Sequence, residues 1–128
     1  DPVQGSTASS VRFSTAETPL NSVHDLGKIE MLDVTRALGL DPALARADMV
    51  AAAVRSAGGL EYYEYDLALS PERCDNTMAT ACLPSKVALV SCVVAGGVLH
   101  VFEVDASLEQ WRRAGVALRN MRSSFSVV

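Results

Sequence analysis

No stretch of this sequence approaches the ~20 apolar residues that carry a helix across a bilayer. The longest apolar run, Val87 to Val98, is interrupted by Ser91 and by Gly96-Gly97, so it reads as a hairpin. Basic excess is missing as well. The 128 residues carry a net charge of −4 with a pI near 5.0, which argues against general nucleic-acid binding. Lysine is limited to Lys28 and Lys86, and histidine to His24 and His100. There is no HxxxH, HExxH or CxxC, so a zinc site has no support from spacing. GxSxG, Walker and GxGxxG motifs are absent too, which removes the usual signatures of a serine hydrolase or a nucleotide-binding loop.

What remains is an ordinary globular composition, 49% hydrophobic and 20% charged, in a length that makes one domain with a single core. The last third is the most informative. Lys86–Ala95 (KVALVSCVVA) and Val98–Val104 (VLHVFEV) flank Gly96-Gly97, whose freedom at positive φ predicts a tight antiparallel hairpin. The first run is apolar on both faces, as a strand covered on both sides requires. In the segment that follows, Trp111, Ala114, Leu118 and Met121 recur at three- and four-residue steps, predicting a helix packed on the sheet.

Upstream, Val11, Phe13 and Thr15 alternate with Arg12, Ser14 and Ala16, predicting a half-exposed strand over Val11–Glu17. Lys28 to Leu38 has near-helical spacing, and Gly39 suits a helix C-terminus. Tyr63, Tyr65 and Leu67 alternate with Tyr62, Glu64 and Asp66 in a period of two. Residues 1–10 are small and polar, a flexible lead-in to a domain over 11–128. Four or five antiparallel strands with two or more helices and no βαβ rhythm predict an α+β fold.

Charge is unevenly placed. From Ser107 onward four arginines face only Glu109, a charge of +3, which leaves −7 on residues 1–106. Arg112 and Arg119 are seven apart and predicted to share the side of the helix opposite Trp111, Leu118 and Phe125. Planar arginines suit carboxylate partners. Arg112 and Arg119 are therefore the first candidates for docking, with Arg113 and Lys28 next; a solvated helix face is the competing reading. Cys74 and Cys82 bracket a short loop. A disulfide there would stabilise by ~2–3 kcal/mol, and two free thiols are the other reading. Cys92 reads as a small buried hydrophobe. Glu64 and Asp66 share one strand face, either as a weak hard-cation site or as a solvated edge. His24 reads as a turn histidine in water, and His100 as a tucked-in histidine with one hydrogen-bond partner.

Several blocks, in order, resemble the PsbP family, extrinsic proteins on the lumenal side of photosystem II. Trp111-Arg112-Arg113 and the terminal Ser124-Phe125-Ser126-Val127 resemble the basic helix and SFSV-like end of that family. Gly58 to Leu67 (GGLEYYEYDL) is similar to its glycine-led, tyrosine-rich central strand, and His24-Asp25-Leu26-Gly27 to a turn before a helix. The resemblance covers roughly residues 11–128, fitting poorly in the Ala-rich stretch and at 70–85. It implies a central antiparallel β-sheet flanked by helices, an αβα sandwich; the family usually carries further N-terminal strands ahead of the matched part, which this sequence is expected to lack. The start at Asp1 implies that any targeting peptide has been removed or lies outside this sequence.

For residues 42–56, alanine content favours helix, whereas the resemblance implies a strand from near Asp48; the strand is the reading adopted. For function, the resemblance implies a non-enzymatic subunit docked on the photosystem core and other lumenal subunits in the chloroplast thylakoid lumen. Such a subunit is peripheral to the membrane and binds no nucleic acid. It would support oxygen evolution through the calcium and chloride of the photosystem, with no cofactor bound directly. A photosystem I subunit or assembly factor is the first alternative, because the chain has so little lysine. A small ligand-binding or enzymatic domain, with a pocket lined by Tyr62–Tyr65 and His100, is the second.

Overall fold

The computed structural model describes residues 8–71 and 83–127. Five strands, β1 (Ser10–Glu17), β2 (Asp48–Ala57), β3 (Leu60–Leu69), β4 (Lys86–Ala95) and β5 (Val98–Ser107), form one antiparallel sheet in the order β1-β5-β4-β3-β2. Both tight hairpins turn on glycine pairs. Gly58 and Gly59 have φ of 58° and 80°, Gly96 and Gly97 of 59° and 75°. Two successive positive φ values match the twist of the flanking strands, and side chains with a Cβ rarely adopt them. β4 lies at the centre, and Val87 to Val94 are buried without a break, as its two-sided apolar pattern requires.

Helix α1 (Val34–Leu38) and three short 3-10 turns cover one face of the sheet. There Val23, Leu38 and Leu44 pack on Tyr65, Val90 and Cys92. Helix α2 (Leu108–Ser123) covers the other, with Leu118 sealed against Val87, Leu89 and Val104. The fold is therefore the α+β sandwich expected, with its sheet in the middle.

Three local readings change. The helix expected over Lys28–Leu38 is a 3-10 turn (Ile29–Met31) and a separate five-residue α1, because backbone oxygens needed for a continuous helix are claimed from the sheet. Tyr63 Oη donates to Gly27 O at 2.7 Å and Tyr65 Oη to Ile29 O at 2.9 Å. Asp33 then caps α1 through Arg36 N, and Gly39 ends it in the left-handed region. Residues 42–56 divide: Pro42–Arg46 is a 3-10 turn capped by Asp41, and the strand begins at Asp48 as adopted. Strand β1 starts at Ser10, one residue earlier than expected. The loop bearing Cys74 and Cys82, and residues 1–7 of the lead-in, lie outside the described residues.

Candidate functional site

Helix α2 carries most of the candidate docking residues, and its position is fixed at both ends. Ser107 and Gln110 form a reciprocal capping box at the start, satisfying donors that a helix N-terminus leaves bare. At the far end Arg122, only 8% exposed in its side chain, reaches down to the sheet. Its Nη1 donates to Asp66 Oδ1 at 2.7 Å and to Tyr65 O at 2.9 Å. Arg119 Nε donates to the other Asp66 oxygen at 3.0 Å. Arg55 Nε donates to Glu64 Oε2 at 2.8 Å, and Ser123 Oγ to Glu64 Oε1 at 2.8 Å.

Two buried carboxylates are thus matched by three arginines beneath and beside the helix. This corrects the reading of Glu64 and Asp66 as a cation site or a solvated edge. Their oxygens are already filled, and exposure is 7% and 4%. A burial this deep would be costly for unpaired charges and is tolerated because each is paired and hydrogen-bonded.

The chain beyond α2 is held by the same network. Arg55 Nη2 donates to Phe125 O, and Tyr62 Oη accepts from Val127 N at 3.0 Å. The Phe125 ring stacks on Phe102 at 5.2 Å and meets Phe13 at 5.6 Å. The C-terminal segment therefore touches β1, β2, β3 and β5 together.

The outward side of α2 is a shallow depression of about 760 Å3 lined by Trp111, Arg112, Arg113, Val116, Arg119 and Asn120. It forms around a break in helical geometry at Ala114, φ −136° and ψ 28°. Arg112 and Arg119 do not share a side opposite Trp111, since one- and eight-residue steps along a helix turn through only about 100° and 80°. Arg119 instead lies over the Trp111 ring, 4.6 Å from its centre. Arg113 pairs with Glu109 at 3.4 Å. Arg112 is exposed and has no ion-pair partner among the described residues. Lys28 is on the opposite layer of the sandwich, in the turn whose next residue is tied to Tyr65. Three of the four sequence candidates are brought together, and the fourth is separated from them by the sheet.

His24 lies in an exposed turn as expected but is hydrogen-bonded there, and His100 departs from the expectation at its Nδ1. His24 Nε2 meets Glu61 Oε1 at 2.5 Å, and its Nδ1 lies 3.2 Å from Tyr63 Oη. The His24 hydrogen bond, with one from Ser56, holds the Glu61 carboxyl below the ordinary range. His100 stacks on Phe13 at 6.1 Å, and its Nδ1 is buried with no partner among the described residues. Tyr62 and Tyr65 are fully buried on opposite faces of the sheet, so the tyrosines and His100 line no common pocket. Cys92 sits on β4 as a buried free thiol; burial pushes it up to about 12, against a hydrogen bond from the Tyr63 backbone. Among the described residues no group of three or more His, Cys, Asp or Glu side chains is arranged for a metal ion.

The architecture is PsbP-like: an antiparallel sheet with helices on both sides and a basic terminal helix. The solution structure of cyanobacterial PsbP (CyanoP) from Synechocystis sp. PCC 6803 is similar to it with a TM-score of 0.64 and 21% sequence identity. The likeness covers 92% of this chain and 66% of that one, so this chain spans just under two thirds of the solved protein. No family model matches the chain, and neither does any curated protein.

Proposed function

We propose that this chain is a non-enzymatic extrinsic protein on the lumenal side of a photosystem, with photosystem II the first assignment. The observation that carries this reading is the PsbP-like fold over nearly the whole chain. The exposed arginine face of α2 supports it with a means of attachment. Arg112 and Arg113 present charge to acidic groups of a partner, while Arg119, held by Asp66 and Trp111, backs them as a rigid support. Lys28, across the sheet, takes no part in the same contact.

The partners in this reading are the photosystem core and neighbouring lumenal subunits, and the place is the thylakoid lumen of the chloroplast. Among the described residues no helix is long and apolar enough to cross a membrane. Support of oxygen evolution would act on the calcium and chloride of the photosystem itself. Glu64 and Asp66 offer no open ligand set for those ions, since arginines occupy them.

The test is binding to photosystem II membranes stripped of their extrinsic proteins, with photosystem I particles in parallel, at low and high salt. Saturable binding to photosystem II that weakens with salt is expected. Arg112→Glu with Arg113→Glu should weaken it about ten-fold or more, since each exposed ion pair contributes up to ~1 kcal/mol. Binding to photosystem I alone would move the assignment there. Binding indifferent to salt and to the charge reversals would overturn the docking face, and turnover of a small molecule by the free chain would overturn the non-enzymatic reading.

A further inference from the structure

On the α1 side of the sheet, Glu103 and Asp105 of β5 stand opposite Arg12 and Ser10 of β1. Both acidic side chains are only 5% exposed. Three donors converge on one oxygen: Ser10 Oγ at 3.1 Å, Arg12 Nη2 at 3.4 Å and Lys86 Nζ at 3.4 Å all reach Asp105 Oδ2. Arg12 also donates to Glu103 Oε2 at 3.2 Å. Asp105 Oδ1, in contrast, is buried and has no hydrogen-bond partner among the described residues. Leaving such an acceptor bare costs ~1–3 kcal/mol, and more when it is charged. The Glu103 carboxyl lies within hydrogen-bonding reach of Asp105, and becomes the missing donor once it carries a proton.

We infer that Glu103 and Asp105 form an acid pair that holds one proton between them and makes the attachment of edge strand β1 depend on pH. The charged groups around Glu103 are Arg12 from β1, Asp105 beside it on β5, Lys86 from β4 by way of Asp105, and Asp41 across the adjoining cavity. Burial, then the hydrogen bond and charge of Asp105, push Glu103 up to about 7 against the pull of Arg12. Burial would also raise Asp105, but Glu103, Lys86 and Ser10 outweigh it and hold Asp105 below its ordinary range.

With the proton in place, the pair carries one negative charge and every buried oxygen has a partner. Without it, two largely buried carboxylates face each other, and like charges so placed repel. A cavity of about 410 Å3, lined by Arg12, Ser14, Asp41 and Glu103 among others, gives Glu103 room to turn away and hydrate. Among the described residues, the side-chain hydrogen bonds of β1 to the facing strand on this side, from Ser10 and Arg12, all end on these two carboxyl groups. Ionisation of Glu103 therefore loosens the hold on β1. The sign follows from linkage. Glu103 titrates higher in the folded chain than its ordinary 4.5, so its contribution is complete below that value and is lost as pH rises through about 7.

The experiment follows the side-chain carboxyl signals by carbon-13 NMR from about pH 5 to about pH 9, a range that separates an ordinary glutamate from a raised one. Amide exchange of β1 relative to β4, corrected for intrinsic rates, is measured across the same range in the chain and in Glu103→Gln. A Glu103 midpoint near 7 is expected, with β1 protection falling above it. The Gln variant, which keeps an N–H donor toward Asp105, should show protection that no longer varies with pH. A Glu103 midpoint near its ordinary 4.5 would overturn the inference, as would β1 protection in the unsubstituted chain that does not change across neutrality. Should Glu103→Gln fail to fold, those two measurements on the unsubstituted chain decide alone.

Discussion

Arg122 Nη1 lies 2.7 Å from Asp66 Oδ1, and the two side chains, 8% and 5% exposed, close against each other beneath α2. This pair fastens the last turn of the helix to the second-outermost strand of the sheet. Removing one member leaves the other buried with part of its charge unmet, which costs ~3–5 kcal/mol in comparable sites. Arg122→Met should therefore lower stability in urea by about 3 kcal/mol. Arg122→Met combined with Asp66→Leu should recover much of that loss, because neither charge is then stranded. A single substitution that leaves the urea midpoint unmoved would show that the pair does not hold the helix.

Phe125 is the point at which the C-terminal segment grips the sheet. Its ring meets Phe13, Tyr62 and Phe102, from three different strands. Full burial of a phenylalanine makes truncation to alanine cost 3–5 kcal/mol, and this half-buried ring should cost about 2. Phe125→Ala should thus lower the thermal midpoint by several degrees. Phe125→Leu should lose less, since it keeps most of the volume. Calorimetry on the two variants separates them.

Cys92 should be chemically silent in the folded chain. A thiol raised to about 12 has roughly one part in ten thousand as reactive thiolate at pH 8, and burial blocks access as well. Iodoacetamide followed by peptide mass spectrometry should find Cys92 unmodified in buffer and fully modified in denaturant. Modification of Cys92 at the same rate in both would contradict the buried placement.

Much of the architecture is legible in the residues themselves. The paired glycines and the period of two mark β3, β4 and β5, and the three- and four-residue steps mark α2. Ala51 to Ala53 carry no such period, since alanine fits a helix or an exposed strand edge alike, so only the likeness to a known family decided that stretch. The broken helix at 28–38 depended on tyrosine hydroxyls 36 residues away in sequence, which no local pattern reveals.

The arginine–carboxylate network was hidden for a related reason. Glu64 and Asp66 are two apart on a strand, and Arg119 and Arg122 are three apart on a helix. Each spacing places its pair on one side, but the match emerges only when the helix lies across that strand. Arg119 also lies over Trp111, because an eight-residue step along a helix turns through only about 80°.

Strands β2 to β5 each pair with the next in sequence, whereas Ser10 of β1 bonds Asp105 across 95 residues. Closing so long a span carries an entropic cost that neighbouring hairpins avoid. The four later strands can therefore assemble as a meander while the first is still free, leaving one flank of the sheet bare until it arrives. The amino-terminal strand is, on this topology, the natural last arrival in folding and the natural first departure under stress.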